Sequence, residues 1–185
     1  MSILEGLIKK LLANPELEYF EESRIFREKI LDKQEAAEIL VLMMETYPEN
    51  LAARAGEMLS LFSIPALIPI AQGLSHGDST WKINLLTIGW LVISNTENEN
   101  PSNMLQAVLP YVLPLLSDYS TVEEKEVECA VEIENIQYRV CDEAYIFLRH
   151  LQDMDYDDVL FCELDFNGRD REIRMLTSRL NRPTV

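Results

Sequence analysis

The sequence predicts an all-α fold, a single domain of stacked antiparallel helix pairs. Apolar residues make up 48% of the 185, enough for a continuous core. Glycine is scarce, at 6, which argues against a turn-rich β protein. From Gln34 onward, apolar residues recur at helical spacing in successive segments.

The chain opens on a helical stripe. Ile3, Leu4, Leu7, Ile8, Leu11 and Leu12 share one side of a helix over 2–13. Asn14-Pro15 ends it, because proline lacks a donor and restricts the residue before it. Residues 16–31 form a second, more charged helical candidate. We assign 1–33 to these N-terminal helices, 34–152 to three repeated helix pairs, and 153–185 to an acidic loop and a capping helix.

Each pair begins with an apolar stripe. The first runs through Ala36, Ile39, Leu40, Met43 and Tyr47. The second runs through Ile64, Leu67, Ile68, Ala71 and Leu74, and the third through Met104, Val108, Tyr111, Val112 and Leu115. Pro65 and Pro69 in the second match Pro110 and Pro114 in the third. Interior prolines kink helices, so matched prolines point to a repeated unit.

The second helix of each pair carries a small polar residue and, four positions on, a base: Asn50 with Arg54, Asp78 with Lys82, Asn135 with Arg139. Asn and Asp cap helices by accepting early N–H groups. Beyond each base, helical spacing aligns Ala55, Leu59 and Phe62, then Ile83, Thr87 and Trp90, then Val140, Ala144 and Phe147. These faces are expected inside, with Trp90 and Phe147 in the core. Trp81 and Tyr138 are expected nearer an edge.

Lys82 and Arg139 lie about twice as far apart as Arg54 and Lys82. A polar loop over 95–101 and an insertion around 121–132 account for much of the excess. The insertion carries two signals. Ser120 with Glu123 forms a capping box, which favours a helix running on to Leu151. Val127, Cys129, Val131 and Ile133 alternate with glutamates, which favours a strand. Leu160, Cys162, Leu164 and Phe166 also alternate, ahead of the turn-forming pair Asn167-Gly168. Helix is the preferred reading for 121–134, and a small β-hairpin appendage is the alternative. Arg169 to Leu180 closes the chain as a basic helix.

With a kinked first helix, a polar turn residue and an early base in the second, residues 34–152 resemble the HEAT family and, more loosely, the armadillo family. The resemblance implies a HEAT-like α-α superhelix and a role in binding other proteins. It also implies that the turn aspartate and the base link neighbouring repeats. By position this falls to Asp78 with Lys82, and to Arg54 and Arg139. Asn50 and Asn135 stand where the family has Asp.

Charge narrows the function classes. With 32 acidic and 16 basic residues the net charge is −16, which repels nucleic acid and anionic membranes and favours a basic protein partner. No apolar run approaches the ~20 residues of a membrane span. The N-terminal stretch, broken by Glu5, Lys9 and Lys10, does not read as a signal peptide. Cys129, Cys141 and Cys162 form no C-x-x-C spacing, so reduced thiols in a cytoplasmic protein are expected, without zinc or disulfide. His76 falls in a turn and His150 near a helix end, where a cation suits the dipole. A Cys141/His150 nucleophile pair is not within one helical turn, and no catalytic or cofactor-binding motif is present. We expect no enzyme and no cofactor.

From Asp118 to Asp158 there are 13 acidic and 3 basic residues. Asp153, Asp155, Asp157 and Asp158 resemble a calcium loop, but Asp158 and Leu164 stand where its glycine and glutamate belong. An acidic cap or loop is the better reading. Glu123, Glu124, Glu126 and Glu128, with those four aspartates, are the expected partner-binding residues. Arg169, Arg171, Arg174, Arg179 and Arg182 follow, to pair with this region or to bind an anion. The leading expectation is an interaction scaffold. The alternatives are an immunity-type inhibitor of a basic toxin or nuclease, and a HEAT-like lyase or other small-ligand enzyme.

Overall fold

The computed structural model describes residues 3–13, 33–60, 62, 64–94, 102–122, 138–153 and 156–181. The second helical candidate at 16–31, the whole 95–101 loop and most of the 121–134 insertion lie outside them.

The described chain is all-α apart from one two-residue ladder. Helix α1 is Ile3–Leu12, α2 is Lys33–Thr46 and α3 is Glu49–Ser60. A 3-10 turn, Ile64–Ala66, leads into α4, Leu67–Gly73, and α5 is Ser79–Ser94. Helix α6, Ser102–Val112, continues into a 3-10 turn, Leu113–Ser117. Strands β1, Thr121–Val122, and β2, Tyr138–Arg139, pair antiparallel, with Thr121 opposite Arg139. Then come α7, Val140–Gln152, α8, Val159–Cys162, and α9, Phe166–Leu180.

Helices pack as pairs: α2 on α3, α4 on α5, α6 on α7. First helices touch in order, α2 to α4 to α6, and second helices do the same, α3 to α5 to α7. An amphipathic pair cannot bury its apolar face alone, and stacking joins those faces into one core.

The expected inner faces hold in two of the three second helices. Ala55 and Leu59 are buried in α3 and Phe62 is buried two residues past its end; Val140, Ala144 and Phe147 are buried in α7. In α5 the face is rotated: Ile83 and Trp90 are half-buried, and Thr87 is exposed. Leu85, Leu86, Gly89, Val92 and Ile93 go inside instead. Helix α5 has α3 on one flank, α7 on the other and α4 against it. It is apolar nearly all round, so its neighbours choose the face. Gly89 decides the approach to α7, because a Cβ there would lie 2.5 Å from Phe147 Cε2.

The matched prolines are used differently in the two units. Pro65 lies in the 3-10 turn before α4, and Pro69 sits in the first turn of α4, where its missing donor costs no intrahelical bond. Pro110 is inside α6, and Pro114 follows at the point where α6 tightens to 3-10. A ring at 114 obstructs the carbonyl four residues back.

Four local expectations need correction. The preferred helix over 121–134 is absent at its start, where Thr121–Val122 is a strand. Arg139 is extended, with φ −104° and ψ 144°, and precedes α7 instead of lying four residues into it. Leu160, Cys162, Leu164 and Phe166 form no strand, and Asn167-Gly168 is no hairpin turn. Both glycine and asparagine lie in the first turn of α9, which Asp165 caps by accepting from Gly168 N at 2.8 Å. Asn50 lies within α3, one residue after its start, while Asn135 is outside the described residues.

Candidate functional site

A shaped surface begins at the turn between α4 and α5. Gly77 has φ +83°, a conformation glycine adopts without strain. Asp78 then caps α5 by accepting from Trp81 N at 2.9 Å. Trp81 turns its ring back over the turn, and its Nε1 donates to Gly73 O at 2.9 Å. A Cβ on Gly77 would lie 2.2 Å from Trp81 Cδ1, so the turn and the ring require each other. The indole is therefore held in place without any ligand.

Trp81 lines a groove of about 560 Å³ between α3 and α5. Ala53 and Gly56 stand on the α3 side, and Trp81, Ile88 and Leu91 on the α5 side. Gly56 sets the floor, since a Cβ there would lie 3.2 Å from Ile88 Cδ1. A second compartment of about 440 Å³ shares Met44, Trp81 and Asn84 with the first and reaches Glu45, His76 and Asp78. The acidic residues of the two linings are Glu57, Glu45 and Asp78, and neither lining contains Lys or Arg. His76 Nε2 lies 3.4 Å from Glu45 Oε1.

The three repeated bases each reach a neighbouring unit. Arg54 Nη1 donates to Leu12 O at the end of α1, where a cation meets the negative end of the helix dipole. Lys82 Nζ does not pair with Asp78; it lies 2.8 Å from Asp118 Oδ2, just past the second 3-10 turn. Burial alone would raise the Asp118 pKa, but hydrogen bonds from Lys82 and Ser120 outweigh it and hold the carboxyl below its usual range. Arg139 donates Nε and Nη2 to Asp142 at 3.0 and 2.7 Å, and Nη1 to Asp170 at 2.8 Å. Arg169 Nη1 completes the cluster with Asp142 Oδ2 at 3.2 Å. Phe166 covers it, its ring 4.6 Å from the Arg139 guanidinium carbon.

These ion pairs remove part of the acidic surface read from the sequence. Asp142 is buried and Asp118 is half-buried, both in ion pairs. Glu123, Glu124, Glu126, Glu128 and Asp155 lie outside the described residues, as does Arg182. Asp153 and Asp157 are exposed and Asp158 half-buried, and Asp157 Oδ1 accepts from Val159 N at 3.0 Å. None of these aspartates lines the groove. Of the arginines, Arg169 turns inward, while Arg171, Arg174 and Arg179 are exposed.

Cys141 and His150 do not form a nucleophile and base. Burial first, then the charge of Asp142, pushes the Cys141 thiol up to about 12, far from thiolate chemistry near neutrality. Burial lowers the His150 pKa against the opposing pull of Asp158 and Asp153, which works against the cation that the helix end would suit. It packs between Trp90 and Tyr156, with ring centroids 5.7 and 5.5 Å away.

Sequence reasoning had marked Trp81 and Asp78, but only as an edge aromatic and a cap. Met44, Glu45, Gly56, Ile88 and Leu91 carried no signal of their own. The glycine-aspartate pair ahead of a tryptophan was the available clue. Comparison with protein-family models, with curated proteins and with solved structures found no match. Among the described residues, no helix is long and apolar enough to cross a membrane.

Proposed function

We propose that the protein is a HEAT-like α-α superhelical module, acting in the cytoplasm, that binds another protein through the groove between α3 and α5. The occupant is an apolar segment of the partner flanked by basic residues. The observation that carries this reading is the groove itself, an open trough of about 560 Å³ with a mainly apolar wall and one acidic residue, Glu57, in its lining. Interface energy concentrates on apolar and aromatic anchors that exclude water, with polar groups around them. Trp81, pinned by its hydrogen bond to Gly73, is such an anchor already ordered, so little entropy is lost on binding. The net charge of −16 supports a basic partner by speeding and orienting its approach.

The test is site-specific photo-crosslinking in the source cells. A photoreactive residue at Thr87, exposed on the groove lip, is compared with one at Ser178, exposed on α9. The expected result is one partner captured from position 87 and not from 178, at a segment where apolar residues adjoin Lys or Arg. Ala53→Trp should abolish it by filling the groove. Capture that is equal at both positions, or that survives Ala53→Trp, rules the groove out.

A further inference from the structure

The groove has two compartments of different chemistry, and the second is unlike the first. Its lining joins Trp81, Thr80 and Asn84 to two acidic residues, Glu45 and Asp78. Both carboxylates are on exposed residues. Asp78 spends one oxygen on the Trp81 N–H, and a carboxylate has further lone pairs to offer.

Helix ends supply an independent argument. The compartment lies where α2 finishes and α5 starts. The positive end of α5 is already met by the Asp78 cap. The last turn of α2 contains Glu45 and no base, and just past it Lys9 Nζ lies 5.4 Å from the centre of the Tyr47 ring. An acid at a helix C-terminus is unfavourable, and a cation placed there relieves both the dipole and the carboxylate. Within the lining, His76 Nε2 approaches Glu45 Oε1 at 3.4 Å. An aromatic face beside carboxylates is also the environment that attracts ammonium and guanidinium groups.

We propose that this second compartment is a cation subsite, which takes one Lys or Arg side chain of the partner beside the apolar anchor held against Ile88 and Leu91. This rests on the groove reading and adds polarity to it: the bound segment runs with its apolar side chain at the α3–α5 trough and its cation at the α2 terminus. Both compartments share Met44, Trp81 and Asn84, so a single short stretch of chain spans them.

A pair of small probes separates the two readings. Phenylbutylamine carries an aryl anchor and an ammonium, and phenylbutanol carries the same anchor with a neutral hydroxyl. The protein has 2 tryptophans, so two indole N–H resonances report by NMR. Both probes should shift the Trp81 resonance, with the amine binding about tenfold tighter at low salt. That preference should vanish in Glu45→Gln/Asp78→Asn, which keeps a capping side chain at 78 while removing both charges. Equal affinity of the two probes for the unaltered protein would overturn the cation subsite while leaving the groove. An amine preference that persists in the double variant would assign it to overall charge and overturn the subsite too. If neither probe shifts Trp81, the groove and its subsite both fail.

Discussion

Gly77 and Gly89 show how one missing Cβ fixes a site or an interface. At Gly89 the room is taken by Phe147, the most deeply packed aromatic of α7. Gly89→Ala should therefore cost about 1–3 kcal/mol of stability, read by urea unfolding. Phe147→Leu in the same chain should recover part of that loss, because the two changes share one space. At the cap, Asp78→Ala should cost about 1 kcal/mol, whereas Asp78→Asn should stay close to the parent. Glu143 supplies a pH signature. Burial first, then the charges of Asp142 and Asp158, raises its pKa to about 7, with Arg169 opposing. The folded state thus holds a proton that the unfolded state releases near the ordinary glutamate value of about 4.3. Its contribution is fully present below that value and is lost as pH rises through about 7. Glu143→Gln should raise the melting temperature at about pH 8 and leave it nearly unchanged at about pH 4. An offset that is constant with pH would show that this carboxyl is not the titrating group.

Between elements, long-range ion pairs take over where apolar contact is thin. Helix α9 buries only Ile173 and Leu176, so its attachment to α7 leans on Arg139, Asp142, Arg169 and Asp170. The Asp142 side chain is 4% exposed, and it serves both arginines. Asp142→Asn should then cost about 3 kcal/mol, since it leaves buried guanidinium groups with less compensation. Arg171→Gln, on the outer face of the same helix, should change stability by less than about 0.5 kcal/mol. Similar losses in both would mean that the cluster contributes no more than a surface charge. The cluster also explains why α9 begins where it does. Asp165 caps it, and Arg169 Nε, one turn on, donates to Leu164 O at 3.0 Å, which binds the α8–α9 turn to the helix it precedes.

At the scale of the whole molecule, the stack leaves a trough between α3 and α5, two of its second helices. Walls of small and half-buried side chains cannot close on each other there because Gly56 already brings α3 and α5 into contact at the floor. Binding and folding are therefore separable. Ala53→Trp should leave the unfolding free energy within about 0.5 kcal/mol of the parent while abolishing the Trp81 shift caused by phenylbutanol. A large loss of stability would place Ala53 in the core instead of on a binding surface. The excess negative charge acts at longer range, and its help to a cationic partner should fade as salt shortens the screening length.

By itself the sequence determined the helical class, the pairing of a first and a second helix, and the buried faces of α3 and α7. Those properties are set within one element, by apolar spacing of three and four residues and by caps such as Asp78. The tertiary structure decided the rest. Helix α5 is apolar on most of its circumference, so its own periodicity left the buried face open until α3, α4 and α7 were in place. Lys82 found Asp118, Arg139 found Asp170, and Arg54 found the end of α1, all partners far away in the chain. The groove belongs to the same category: Met44, Gly56 and the pair Trp81 and Ile88 come from three helices, and only their packing makes one surface of them.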